Sequence, residues 1–199
     1  HGELLDQSGI VNMANIDYHY RPTDDSDPFQ TDIVILSGKQ DRFMPKFNYK
    51  GFQFVEVSSS APIQLSDENL IAVEMHSDVP AIGYWSSSSE LLNKIWKATN
   101  SSYLANLFGY PTDCPQREKN GWTGDAHIAI ETGLYNFDGI SIYEKWMNDF
   151  CDEQKDNGIL PCIIPTSVWG YDWANGVDWT SAVAIIPWEI YRFYGDTTL

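Results

Sequence analysis

The chain contains 199 residues, of which 28 are acidic and 12 are basic, so its formal charge at pH 7 is −16. A domain typically has about 100–200 residues, so this length fits one large domain or parts of two. Hydrophobic residues make up 43% of the chain, which is enough for a core and excludes a wholly disordered protein. The acidic charge argues against nucleic acid or an anionic membrane as partner, because phosphates are neutralised by Lys and Arg. A neutral ligand such as a sugar is compatible with it.

The cysteine count and the hydropathy narrow the class of protein further. The three cysteines, Cys114, Cys151 and Cys162, have no repeat spacing, so neither a disulfide framework nor a zinc motif is predicted. No apolar run reaches the roughly 18 residues of a membrane span, and no calcium-type loop is present. We therefore expect no cofactor, no metal site and no membrane span.

Short β-type runs separated by turn clusters occupy the first part of the chain. The clearest runs cover residues 33–36, 52–57 and 71–75, and residues 52–57 alternate in character after Gly51, as in a half-buried strand. Residues 21–28 and 58–62 are rich in Pro, Ser and Asp and are predicted to be loops. These features predict the C-terminal part of an antiparallel β-sandwich over residues 1–84.

Helical patterns dominate from residue 85 onward. A first helix is predicted after the serines at 86–89, with a stop at Gly109-Tyr110-Pro111, and a second over residues 126–137. A third begins at Gly139-Ile140, and a last one covers residues 182–194 with Pro187 in its first turns or at a kink. Residues 155–178 read as a long loop. Helices joined alternately by short turns and long loops predict a toroid of helical hairpins over residues 85–199, and such long loops are usually functional.

The polar segment from residue 113 to residue 125 concentrates groups that suit sugar chemistry. It holds three carboxylates (Asp113, Glu118 and Asp125), the guanidinium of Arg117 and the indole of Trp122. Hydrolysis of a glycosidic bond needs a protonated acid at the leaving oxygen and a second carboxyl across the ring. On chemistry alone, a purely structural interpretation is equally open. Asp113 could form an Asx turn, Asp125 could be a first-turn helix charge, and Arg117 could be an ion-pair partner.

The loop over residues 169–179 is the second candidate for ligand binding. Trp169, Trp173 and Trp179 could offer flat faces to sugar rings, or could anchor the loop to the core. We expect at least one of these indoles to lie in the site. Asp178 adds a carboxylate beside them.

The residues from Asp113 to Asp125 closely resemble the signature of bacterial α-L-rhamnosidases of glycoside hydrolase family 78. That signature runs Asp-Cys-Pro-x-Arg, an acid, then Gly-Trp-x-Gly-Asp, and every position matches here. The runs at 1–9, 43–57 and 179–196 are similar to other segments of that family. The resemblance implies an α+β multidomain fragment, with the end of a β-sandwich followed by the first helices of an (α/α)6 toroid.

The resemblance also implies an inverting α-L-rhamnosidase acting on rhamnose-containing oligosaccharides, polysaccharides or glycosides. Glu118 corresponds to the family's general acid, which must carry its proton. Asp113 and Asp125 correspond to carboxylates that bind rhamnose hydroxyls, while Trp122 lines the sugar subsite and Arg117 orients the carboxylates.

Two further expectations come from the family's pattern. Its general base is a Glu far downstream, which we expect beyond Leu199, so the chain alone is expected to be inactive. The opening His1 and the helix-then-loop ending likewise lead us to expect an excerpt of a longer protein. With the true N-terminus missing, bacterial cytoplasm and periplasm both remain possible.

The sequence departs from the family at one position. Many members read Trp-Gly-Asp-Ala where this chain has Trp179-Thr180-Ser181-Ala182, so a carboxylate role there is lost or moves to Asp178. Two alternatives therefore stay open. One is a glycosidase of the same scaffold for another deoxy or uronic sugar, and the other is a non-catalytic carbohydrate-binding protein.

Overall fold

A computed structural model describes residues 1–17, 30–173 and 176–199, so the loop predicted at residues 21–28 lies outside the described residues. Its contacts divide the chain into two compact units. The N-terminal unit comprises His1–Met75 together with Pro115–Glu118, and the helical unit comprises His76–Cys114 together with Lys119–Leu199. The sequence-based boundary between residues 84 and 85 stays a prediction.

The N-terminal unit begins with a small hairpin. Strands β1 (Leu4–Leu5) and β2 (Val11–Asn12) pair antiparallel and are followed by the short helix α1 (Ala14–Asp17). The turn between the strands is built on Asp6, whose Oδ1 accepts hydrogen bonds from the backbone N–H groups of Ser8 and Ile10. The sequence patterns gave no indication of these three short elements.

The three strands predicted in this unit are wrong. Residues 33–36, 52–57 and 71–75 form no ladder, and in the described part of the chain the only ladder is the one between β1 and β2. Phe54 alone makes an isolated bridge, to Gly2. A strand takes its backbone hydrogen bonds from a neighbouring strand, so alternation of side chains does not by itself create one. The loop predicted at residues 58–62 is confirmed.

The helical unit contains the four long helices that the sequence predicts; the last has the predicted bounds, and the second is shifted towards the N-terminus. These are α2 (Glu90–Ala105), α3 (Thr123–Asn136), α4 (Ile140–Glu153) and α6 (Ala182–Tyr194), and a short helix α5 (Val177–Thr180) precedes the last. The Ser89 side chain caps α2 by accepting from the Leu92 N–H. None of the described helices is long and apolar enough to cross a membrane.

The core of this unit lies between α3, α4 and α6. Apolar side chains spaced four residues apart on α3 and α6 face each other, as helical periodicity requires. The buried set is Ala126, Ile130, Leu134, Tyr143, Trp146, Met147, Phe150, Leu160, Ile164, Ala182, Ile186 and Ile190. The fully buried indole of Trp146 also donates to the Ile164 carbonyl at 2.8 Å, which fixes the loop after α4 to the helix.

Candidate functional site

The loop between α2 and α3 is closed by Asp113. Its Oδ1 accepts from the Asn120 N–H at 3.0 Å, and its own N–H donates to the Asn120 carbonyl at 3.1 Å. The Cys114 thiol donates to the other oxygen, Oδ2, at 2.7 Å. These contacts, which reach a residue seven positions along the chain, give Asp113 a structural role, and the Asx turn considered for it stays a prediction. These donors also fix the orientation of the carboxylate.

Asp125 lies in the first turn of α3, where the helix dipole favours a negative charge. Its side chain is exposed, and it lines a cavity of about 560 Å³ that Asp113 also lines. The other polar side chains around this cavity are Thr99, Ser102, Tyr103, Asn106, Thr112, Thr132 and Tyr143. The structure thus brings two of the three predicted carboxylates to one cavity in the helical unit.

Two buried tyrosines form part of the wall of this cavity. The hydroxyls of Tyr103 and Tyr143 lie 2.9 Å apart, and Tyr143 is fully buried. Burial raises the pKa of Tyr103 and raises that of Tyr143 well above its ordinary value, so both phenols stay neutral. The sequence offered no signal for this pair, because an isolated Tyr in a helix is ordinary.

Glu118 and Arg117 belong to the segment Pro115–Glu118, whose contacts place it in the N-terminal unit. Both side chains are partly buried, and the Nε of Arg117 is buried without a hydrogen-bond acceptor in the described part of the chain. The convergence of Glu118 with Asp113 and Asp125 on one point stays a prediction.

The four predicted tryptophans come together beside the start of α3. The Trp122 ring meets the Trp173 ring edge-on at 5.6 Å and the Trp179 ring at 6.3 Å. Trp169 lies 5.7 Å from Trp173, and its carbonyl accepts from the Trp173 indole at 2.9 Å. Trp173 is 41% exposed, so this cluster presents apolar ring surface to solvent as well as to its own members.

Two small residues of the 113–125 segment hold this cluster, and sequence reasoning gave them no role. The Thr123 hydroxyl contacts the carbonyl oxygens of Cys162 at 3.0 Å and of Trp179 at 3.1 Å. A Cβ on Gly124 would lie 2.5 Å from the Trp179 ring, so only glycine lets that indole lie on the helix backbone. The indole nitrogen of Trp179 is buried without a hydrogen-bond partner among the described residues.

The remaining predicted site residue, Asp178, lies exposed in the first turn of α5. Ser181, where many family members carry Asp, ends α5 and begins α6, and its side chain makes no capping hydrogen bond. No group of three or more His, Cys, Asp or Glu residues within the described residues is arranged to hold a metal ion.

Comparison with known proteins gives the same family along almost the whole chain. Residues 80–199 match the family described as bacterial alpha-L-rhamnosidase 6 hairpin glycosidase domain. Residues 1–76 match the bacterial alpha-L-rhamnosidase concanavalin-like domain. These matches confirm the predicted fold class, a β-sandwich portion followed by the first part of a helical-hairpin toroid.

Individual relatives are similar over a short part of their own length. An alpha-L-rhamnosidase of Formosa agariphila is 33% identical over 196 residues, which are 98% of this chain and 20% of that protein. The solved alpha-L-rhamnosidase of Aspergillus terreus superposes with a TM-score of 0.77 at 28% identity, over 98% of this chain and 22% of that one. That of Dictyoglumus thermophilum gives 0.58 at 40% identity, over 62% of this chain and 14% of its own. The chain spans about a fifth of the length of the curated relatives it matches.

Proposed function

The chain belongs to the bacterial alpha-L-rhamnosidase family, and from this premise we propose that it carries the sugar-binding part and the general acid of an inverting α-L-rhamnosidase. The substrate would be a terminal α-L-rhamnose on an oligosaccharide, a polysaccharide or another glycoside. The observation that carries this proposal is the shared cavity of Asp113 and Asp125, two signature carboxylates twelve positions apart in the chain.

Binding of the sugar is assigned to the two carboxylates and the tryptophan cluster. The donors from Asn120 and Cys114 hold the Asp113 carboxylate in one orientation, and a carboxylate is an acceptor suited to a sugar hydroxyl. Asp125 extends from the first turn of α3 and can accept a second hydroxyl. The rings of Trp122, Trp169, Trp173 and Trp179 offer apolar faces to the C–H groups of a pyranose ring.

Two further residues complete the proposed binding set. Arg117, a guanidinium with five donors, orients the neighbouring carboxylates. Asp178 replaces the carboxylate that many family members carry at the position of Ser181, three residues farther along the chain.

The chemical step is assigned to Glu118. Its carboxylic acid donates a proton to the glycosidic oxygen while a water attacks the anomeric carbon from the opposite face. Inverting enzymes activate that water with a second carboxylate, roughly 6.5–9.5 Å from the acid. None of the residues of this chain is proposed as that base.

The test is the substitution Glu118→Gln in the intact natural protein. It should lower kcat on a rhamnoside with a poor leaving group by about 10²–10⁴-fold, because the amide cannot donate the proton. A rhamnoside of an acidic phenol needs little protonation and should lose much less. An equal loss on both substrates would remove Glu118 from the acid role.

A matched control is Glu131→Gln on α3. The Glu131 carboxylate is half exposed and accepts from Arg192 at 3.0 Å, so it occupies a surface ion pair. This substitution should leave both rates unchanged. A panel of aryl glycosides of rhamnose, other 6-deoxy sugars and uronic acids would then separate rhamnosidase activity from that of another glycosidase. Sugar binding without hydrolysis of any member would favour a non-catalytic binding protein.

A further inference from the structure

The segment Pro115–Glu118 is held by residues distant from it in the sequence. Both of its flanking residues, Cys114 and Lys119, belong to the helical unit, whereas the segment itself groups with His1–Met75. Because Glu118 ends this segment, whatever holds the segment also sets where the proposed general acid stands.

A side-chain cluster centred on Glu3 provides the first contact. The Gln116 amide nitrogen donates to Glu3 Oε2 at 3.3 Å, and the Asn15 amide nitrogen donates to the same oxygen at 3.3 Å. All three side chains are partly buried, and the amide oxygens of Gln116 and Asn15 are fully enclosed. A hydrogen bond to a carboxylate is about twice as strong as one between neutral groups, so Glu3 is the anchor of this cluster.

A backbone contact at Gly51 provides the second. A Cβ at this position would lie 2.8 Å from the Gln116 nitrogen and 2.8 Å from the Pro115 carbonyl carbon, so the two backbones touch. The Gly51 carbonyl accepts from the Gln30 side-chain amide at 2.7 Å, and the Gln30 carbonyl accepts from the backbone nitrogen of His1 at 3.1 Å. The segment Pro115–Glu118 is thus held by a hydrogen bond to Glu3 and by backbone packing against Gly51.

We propose that Glu3 is a positioning residue for the general acid, acting through Gln116, and that close packing of Gly51 supports it. The inference rests on the proposed role of Glu118. A general acid must come within about 2.6–3.2 Å of the oxygen it protonates, and Glu118 lies only two residues beyond Gln116. Loss of the hydrogen bond between Glu3 and Gln116 leaves the Glu118 carboxyl chemically intact but misaligned. A displacement of about 1 Å can cost roughly 10²-fold in rate.

The experiment compares Glu3→Ala and Glu3→Gln in the intact natural protein. Glu3→Ala removes the acceptor and should lower kcat by about 10–100-fold on a rhamnoside with a poor leaving group, with KM almost unchanged. The loss should be much smaller on a rhamnoside of an acidic phenol. Glu3→Gln keeps an acceptor oxygen and should recover most of the rate.

The matched control is Glu56→Ala. Glu56 is another carboxylate of the N-terminal unit, and it accepts from the Val11 N–H of the hairpin at 3.2 Å. Its removal should not change the ratio of the two rates. If Glu3→Ala does not fold, Gln116→Leu deletes the same hydrogen bond from the other side and gives the same comparison.

The possible outcomes separate this inference from the proposed function. Equal losses on the two substrates, no loss at all, or the same loss in Glu56→Ala would each overturn the positioning role. If Glu118→Gln shows the leaving-group dependence and Glu3→Ala does not, only the role of Glu3 fails. If the rate loss of Glu118→Gln does not depend on the leaving group, the proposed role of Glu118 as general acid is wrong, and the inference about Glu3 falls with it.

Discussion

The two units bury their apolar residues to very different extents. In the helical unit, Trp146, Tyr143 and Phe150 are at most 1% exposed. In the N-terminal unit, Ile35 is 94% exposed and Phe47 is 100% exposed. A helix closes its backbone hydrogen bonds within four residues and needs a partner only for its apolar face. A strand depends on another segment for both its hydrogen bonds and its packing, so apolar residues in an unpaired extended run stay in solvent.

The predicted site residues divide between the same two units. Asp113, Asp125 and the tryptophan cluster belong to the helical unit, where backbone and side-chain contacts fix them. Glu118 belongs to the N-terminal unit by its contacts, although its sequence neighbours do not. The residues proposed to bind the sugar therefore belong to the unit with the well-packed core, and the proposed proton donor belongs to the other unit.

The difference in burial between the two units predicts that, of the substitutions considered, one at Trp146 lowers stability the most. Trp146→Ala removes a fully buried indole and its hydrogen bond to Ile164, so the free energy of opening of α4 should fall by about 3–5 kcal/mol. Phe47→Ala, at a fully exposed ring in the N-terminal unit, should change the free energy of opening of its own region by less than about 0.5 kcal/mol.

Amide hydrogen exchange of the 199-residue chain, followed peptide by peptide, measures both values in one experiment. A large loss of protection around Phe47 would contradict the contrast, because it would show that this ring is covered in solution. A small effect at Trp146 would contradict the core described for the helical unit.

The helical unit was also the more predictable of the two, for the same physical reason. The last helix was predicted over residues 182–194 and is found over exactly these residues, because its apolar periodicity and the following Gly195 are local signals. The start of α3 was missed by three residues, because Thr123 and Gly124 are poor helix formers. Both owe their place to contacts with Trp179.

The site could be predicted in its residue types but not in its arrangement. The family resemblance over Asp113–Asp125 pointed to the two carboxylates that line the cavity, and the aromatic loop pointed to the tryptophans that gather at Trp122. What holds these groups was not visible, because Asn120, Thr123 and Glu3 act through tertiary contacts that leave no sequence pattern. The prediction of three strands was wrong for the same reason, because the sequence of a strand does not show which segment it would pair with.

A smaller loss of stability is expected from a substitution at Gly133, where α2 and α3 are in contact. Alanine normally stabilises a helix by about 1 kcal/mol relative to glycine. Here a Cβ would overlap the buried hydroxyl of Tyr103, so Gly133→Ala should instead lower the free energy of opening of α3 by about 1–3 kcal/mol.

The double variant Gly133→Ala with Tyr103→Leu checks the cause of that loss. Because the two residues are in contact, the combined cost should be smaller than the sum of the single costs. Additive costs, again measured by hydrogen exchange, would show that the two helices do not meet as closely as described.

The smallest predicted effect concerns the pH dependence of the helical unit. Burial raises the pKa of Tyr103 and Tyr143 in the folded protein above their ordinary value of 10.0. The stability that these neutral phenols supply is therefore complete below about pH 10. It is lost as pH rises towards the raised values, because the unfolded chain releases its protons first. The urea midpoint of the helical unit should fall between pH 9 and pH 11.

Tyr143→Phe decides whether the buried pair causes that fall. It removes one titrating group and one hydrogen bond, so the variant should be less stable by about 1 kcal/mol at pH 8. Its midpoint should also fall less steeply above pH 9. Tyr84→Phe, at a phenol that is 85% exposed, should keep the steep fall. Equal slopes in all three proteins would mean that the phenols ionise as freely when folded as when unfolded. The close contact between α2 and α4 would then not exclude water.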